Sequence, residues 1–420
     1  MNWPFTTIAS VTQRTSTRDP RARPNDLFQY IDIASIDRDQ KEIVQAAELK
    51  GADAPSRARK VVKAGDILVS TVRPNLNTVA IVPPELDGQI ASTGFCVLRP
   101  DRELVDERYL FYFVRTAEFI DALTSKVRGA HYPAVSDRDV KNTELPLPPL
   151  KEQRRIVEIL DQADALRKQR ADADKKAARI LPALFYQMFG DPLLNPRGWD
   201  VQPFGALKGE TGLVTDGDWI LSENMDESGN VRLLQLADIG IGRFLDKSRK
   251  FITDEKFDEL GCTEVLAGDV LVSRMAEPIG RACIVPELEQ RAITAVDITI
   301  VRVGQSVALP EYVVCLCNMP FFLGKAQAAA SGTTRGRITR RNLEKIPVPI
   351  PPVEMQKEFA CRYNEMEKMS VGMMNAHQFL ESLFNSLMRS AFSGELTAGW
   401  RKAHTKELLR EMESQAQAIS

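Results

Sequence analysis

The sequence holds the side chains that nucleophilic, acid–base and metal chemistry use, but not at the spacings such chemistry needs. Its three histidines, His131, His377 and His404, stand apart from one another and from any cysteine pair, so a zinc site lacks its ligand spacing and no metal is expected. Of Cys96, Cys262, Cys283, Cys315, Cys317 and Cys361, only Cys315 and Cys317 are close, inside the apolar run YVVCLC. That setting suits buried structural thiols. A phosphate loop is missing, since Gly324-Lys325 has no matching upstream glycine, and Gly240-Ile241-Gly242 lacks the third glycine of a dinucleotide site. Neither a G-x-S-x-G elbow nor an H-E-x-x-H pair occurs. The Asn/Asp-Pro-Pro-aromatic signature of amino-methyltransferases is also missing, and Pro100-Asp101-Arg102-Glu103-Leu104 puts leucine where a PD…ExK nuclease needs lysine. What remains is donor-rich loop sequence around residues 73–77, 126–132, 274 and 329–337. The chain therefore reads as a binding protein and not as an enzyme.

The elements that must position those loops come in two copies. Gly65-Asp66-Ile67-Leu68-Val69-Ser70 returns 203 positions later as Gly268-Asp269-Val270-Leu271-Val272-Ser273. The same offset carries Ile81-Val82-Pro83 onto Ile284-Val285-Pro286, Tyr109 onto Tyr312, Pro148-Pro149 onto Pro351-Pro352 and Gln153 onto Gln356. A repeat of this length has to be recognised before any other fold argument. Upstream, Gln29–Ile33 resembles Gln235–Ile239 at an offset of 206, a length difference of the kind loops absorb. A chain of 420 residues exceeds one ordinary core. Its 44% hydrophobic and 27% charged composition is that of a globular protein. The formal charge of -2 provides no global basic field, so any nucleic-acid contact must be local or shared. No run is apolar for long enough to span a bilayer and the start has no secretory signal. A soluble, cytoplasmic protein with no membrane partner is expected.

Each copy has one plan: short β-type runs such as DILVSTV and GFCVLRP, a helical stretch, a glycine-containing loop, a proline hinge and a long polar–apolar segment. The hinges, residues 145–153 and 346–356, suit a chain that runs extended and then enters a helix. In the first helix Ile156, Ile159, Ala163, Leu166, Arg170, Ala173, Ala177, Ile180 and Leu184 follow a 3-4-3-4 spacing. In the second, Phe359, Arg362, Met366, Met369, Met373, Ala376, Leu380, Leu383 and Leu387 repeat it. This is the narrow stripe of a coiled coil, interrupted once in each helix by arginine. Pro182 predicts a kink or restart. Chain connectivity favours an antiparallel pair, because domain termini are commonly adjacent. About 30 residues of seam give a rod of roughly 45 Å, on the order of 13 base pairs. The expected fold class is α/β (α+β), with two tandem domains separated by two long helices in an antiparallel coiled coil and a pseudo-twofold, circular arrangement.

Duplicated variable lobes, a PLPPLKEQRRI-type hinge before each long helix, FGDPLLNPRGW at 189–199 and AFSGELT at 391–397 together resemble the specificity subunit of type I restriction-modification enzymes. The second hinge departs from that pattern, reading VEMQKEF. The resemblance implies target recognition domains at 1–148 and 191–350, spacer helices at 149–190 and 351–393, and a C-terminal tail at 394–420. It further implies that each domain reads half of a bipartite double-stranded DNA target. Two methyltransferase subunits would supply S-adenosylmethionine and the base-flipping pocket, restriction and translocase subunits would join for cleavage, and this chain would need no cofactor. Because the two loop sets differ, the half-sites should differ as well. Arg128, Arg335 and Arg337 suit bidentate bonds to guanine, and His131, Tyr132, Thr333 and Thr334 suit base edges or phosphate. Arg73, Asn75, Asn77 and Arg274 form a second rim. The rival readings are a coiled-coil protein-interaction scaffold without DNA specificity and a self-sufficient DNA-modifying enzyme.

Overall fold

The computed structural model describes residues 3–128, 133–275, 277–332 and 336–419. It divides into two compact units, Met1–Asp172 with Asn375–Ser420, and Ala173–Met374. Each unit therefore holds one lobe, the first part of one long helix and the last part of the other.

In the first unit the strands Thr12–Gln13, Phe95–Pro100, Ile67–Ser70 and Val79–Ile81 form an antiparallel sheet in that spatial order. In the second unit Leu213–Asp216, Ile298–Arg302, Val270–Ser273 and Ala282–Ile284 do the same. Even the register is shared, with Leu68 opposite Val97 and Leu271 opposite Ile300. The apolar run after Gly-Asp follows from burial on both faces, since successive side chains point to opposite sides of a strand. Ile67 and Val69 face the helical core, while Leu68 faces a smaller core that it shares with Ile31, Ala91 and Phe95. Val270, Val272 and Leu271 divide in the same way. Gly65 and Gly268 both turn into these strands at φ 85. Asp66 and Asp269 stay buried because each takes a two-pronged bond from an arginine on the neighbouring strand, Arg99 at 2.9 and 2.7 Å and Arg302 at 2.8 and 2.7 Å.

The hinges are fixed by one glutamine each. Gln153 donates to Leu104 O and Pro148 O and accepts from Asp106 N, and Gln356 makes the equivalent bonds to Val307 O, Pro351 O and Leu309 N. Tyr109 and Tyr312, both fully buried, close the same corner by donating to Pro146 O and Pro349 O.

The first long helix runs Leu150–Ala177 and restarts as Ile180–Phe189, with Pro182 in its first turn. The second runs unbroken over Val353–Ser393, 41 residues or roughly 60 Å. Within the first unit Arg167 grips Glu381 at 2.8 and 2.7 Å, and Ile156 and Leu160 share a core with Phe384, Met388 and Ala391. Within the second, Phe185 and Phe189 pack on Phe359 at 5.8 and 5.3 Å. In the first unit residue numbers rise along one helix as they fall along the other, from Glu152–Arg401, the latter in the tail just beyond the second helix, to Arg167–Glu381, so the pairing is antiparallel there. In the second unit the end of the first helix meets the start of the second.

The stripe read from the sequence is correct at every second position and at Ile159. Ile156, Ala163, Ala177, Leu184, Phe359, Met366, Met373, Leu380 and Leu387 are buried or half-buried, and so is Ile159. Leu166 is 54% exposed, Ile180 55%, Met369 66% and Leu383 40%, and Ala173 and Ala376 are exposed as well. In their place the next residue turns inward: Leu160, Arg167, Asp174 and Leu181 on the first helix, and Tyr363, Ser370, His377 and Phe384 on the second. The two phases share half of their positions, and hydrophobicity selects the wrong one because the inward polar residues have partners. Arg167, for example, also lies 4.3 Å over the Phe384 ring and bonds Asp164. Arg362, outside the true stripe, is exposed and pairs with Glu358.

The tail forms two helices, Ala398–Ala403 and Thr405–Ile419. It is tied to the start of the first long helix through Glu152. That fully buried carboxylate accepts from Trp3 Nε1, Thr397 Oγ1 and Arg401 Nε.

Candidate nucleic-acid interface

In the first unit the loop after Ile67–Ser70 rises as a 3-10 turn, Pro74–Leu76, between two left-handed residues, Arg73 at φ 49 and Asn77 at φ 44. Arg73 and Asn75 are exposed. Asn77 is not free to read bases, because its amide donates to Val114 O at 2.8 Å and its side-chain oxygen accepts from Lys41 Nζ at 3.1 Å. Lys41 also bonds the Asn77 carbonyl oxygen, and removal from water, helped by the nearby Arg115, pulls its amine down to about 8. Arg128 is exposed, and its backbone exchanges bonds with Ala134 at 3.1 and 3.2 Å. Since Ala134 also bridges Val72, Arg128 lies on a segment neighbouring the Arg73 turn. His131 and Tyr132 lie outside the described residues.

The second unit treats its arginines differently. Arg274 is 3% exposed, with Nε 3.3 Å from Asp216 and further bonds to Ile338 O and Val296 O. Burial lowers its pKa and Asp216 opposes that shift. Arg274 is thus an internal brace, contrary to its reading as a rim residue. Arg337 is half-exposed and pairs with Asp297 at 3.0 Å, while its backbone exchanges bonds with Ser331. Arg340, not singled out from the sequence, joins this network through Asp216 at 3.6 Å and Glu344 at 3.0 Å. Asp297 takes the place of Gly94 and Arg274 that of Thr71 at the 203-residue offset, so comparing the copies marks the cluster as particular to the second domain. Thr333, Thr334 and Arg335 lie outside the described residues.

Among the described residues no group of three or more His, Cys, Asp or Glu could hold a metal ion. No described helix is long and apolar enough to cross a membrane. Cys96, Cys283, Cys315 and Cys317 are buried, and burial pushes the Cys96 thiol up to about 12, a range in which it is a poor nucleophile.

Comparison with known proteins places this arrangement. The family profile for the type I restriction modification DNA specificity domain matches residues 30–173. The MjaVIII type I restriction enzyme specificity subunit of Methanocaldococcus jannaschii is 23% identical over 327 residues, 73% of this chain and 74% of that protein. A chain solved in a study of complex assembly and conformational transition of the type I R-M system is 29% identical, covers 94% of this chain and 98% of its own length, and superposes with a TM-score of 0.59. The crystallised HsdS subunit from Thermoanaerobacter tengcongensis is 30% identical over 94% of this chain and 97% of its own, with a TM-score of 0.43. With identity spread over nearly its whole length, a duplicated scaffold and hinges closed by Gln153 and Gln356, the chain belongs to the specificity-subunit family of type I restriction-modification enzymes.

Proposed function

We propose that this chain reads an asymmetric bipartite DNA sequence, one half-site per domain, for a type I restriction-modification complex. It performs no chemistry itself. The observation that carries this reading is a scaffold repeated bond for bond beneath unlike loops. The pairs Asp66–Arg99 and Asp269–Arg302 coincide at the 203-residue offset, whereas Arg73 and Asn75 in one copy face no equivalent side chains in the other. Palindromic targets mirror true symmetry, so unequal readers on equal frames suit unequal half-sites.

Two methyltransferase subunits carry S-adenosylmethionine and dock on the long helices, and restriction and translocase subunits join for cleavage, in the cytoplasm where the DNA is. Apolar side chains left outside the seam support docking: Leu166, Phe379 and Leu383 in the first unit, Ile180 and Met369 in the second. Much of the phosphate grip then comes from the partners, which accords with the net charge of -2. The test is a genome-wide map of N6-methyladenine in cells with and without this chain. One bipartite, non-palindromic motif should vanish with it, and an unchanged map would refute the reading.

A further inference from the structure

The two units agree up to one residue and then part. Ser70 Oγ donates to Val72 O at 2.9 Å, and Ser273 Oγ donates to Met275 O at 2.5 Å, in matching positions. Beyond this shared point the second unit turns its aliphatic residue inward, with Ile279 only 2% exposed, and Gly280 takes a positive φ of 93, at little steric cost. The first unit places Asn77 in the left-handed region instead, and Arg73 as well. At the Asn77 position the second unit thus meets the positive φ with a glycine, so the fold does not require a side-chain-bearing residue there, and a side chain kept at such a φ where a glycine would serve points to function.

The strain holds up an unusual crown. Asn75 is exposed, and Leu76, the counterpart of buried Ile279, is 38% exposed at the top of the turn. Beneath it everything is fixed. Arg73 N donates to Pro133 O at 2.8 Å, Asn77 Nδ2 donates to Val114 O, and Lys41 holds both oxygens of Asn77. Lys41 itself is left-handed, at φ 58, between the paired strands Ile36–Asp37 and Glu42–Ile43. Two strained segments thus pin each other, and a loop ordered in advance loses less freedom when it binds.

We infer that the turn Arg73–Asn77 is a preformed tip that reads A·T base pairs in the half-site of the first domain, with Asn75 on an adenine edge and Leu76 on a thymine methyl group, and that Lys41 is its positioning residue. The inference rests on the DNA-reading role proposed above. A carboxamide pairs in two-pronged fashion with adenine N6 and N7, and an apolar side chain packs on the methyl group that only thymine carries. The tip carries Asn75 and Leu76 at successive positions and no acidic group of its own, while Leu76 borders a cleft lined also by Asp37, Arg38, Asp39 and Lys41. Arg73, at the foot of the turn, is suited to the flanking phosphate. Asn77, a reader by residue type, is in the structure the pinned base of the tip.

The experiment uses the full chain assembled with its modification subunits, S-adenosylmethionine and a DNA library randomised across both half-sites, read by sequencing methylated molecules. Asn75→Ala and Leu76→Ala should each relax the preference for one A·T position in a single half-site by about tenfold. The base preference at the other half-site should be unchanged. Lys41→Met should relax the same positions; a merely structural lysine would lower methylation at every sequence without altering which bases are preferred. Asn75→Ala and Leu76→Ala alter exposed side chains, so they remain informative if Lys41→Met fails to fold. Base preferences identical to the wild type in both surface variants would overturn the inference while leaving the DNA-reading role intact. A wild-type complex with no sequence preference would instead remove that role.

Discussion

Arg274 and Arg73 follow the same strand in the two copies two positions apart at the 203-residue offset, yet one guanidinium is buried and the other faces water. The difference lies in their partners. Asp216 and two backbone carbonyls receive Arg274, whereas Arg73 is anchored through its backbone N–H. Removing a buried partner leaves the others unpaired. Arg274→Ala should therefore destabilise the second unit by about 2 kcal/mol, seen as a lower urea midpoint, with no change in the bases recognised. Wild-type stability together with altered target preference would return Arg274 to the list of readers. Sequence could supply the candidates Arg73, Asn75, Arg128, Arg274 and Arg337, because donor type is local. It could not sort them, because burial depends on residues far away in the chain.

At the scale of elements, hydrophobic spacing located both long helices, the break near Pro182 and the hinges. It missed the helix phase by one residue at alternate positions, where Arg167, Asp174, Ser370 and His377 turn inward. A 3-4 repeat and its 4-3 neighbour contain half the same residues, and only a partner such as Glu381, 214 residues from Arg167, makes the polar choice tolerable. The tail shows the same dependence. Nothing local marks Glu152 as a buried anchor, but Arg401 reaches it across 249 residues and also lies 4.7 Å over the Trp3 ring. Arg401→Ala should leave this carboxylate short of its charge partner and cost about 3 kcal/mol, measured as loss of stability confined to the first unit. Glu152→Gln, which removes the buried charge, should cost less. Equal losses in the two variants would show that the ion pair is not what holds the tail.

At the scale of the whole molecule, duplication makes each copy a control for the other. Bonds present twice belong to the frame, as with Gln153 and Gln356; features present once, such as the Arg73–Asn77 turn and the Arg274–Asp216 brace, belong to what a domain does alone. If helix length sets the spacing between half-sites, one heptad added to both long helices should lengthen the unread spacer by about three base pairs, since seven residues rise roughly 10 Å. Methylation maps of the extended complex would check this, and an unaltered spacer would remove helix length from the explanation. The sequence alone determined the twofold repeat, the order of strands, hinges and helices, and the want of catalytic spacing, because each is written in neighbouring residues or in one constant offset. Tertiary structure alone decided which flank of each helix is covered, which arginine turns inward and which turn stands strained at the surface. Those outcomes depend on charges and carbonyls brought close only by folding, and a linear pattern carries no record of them.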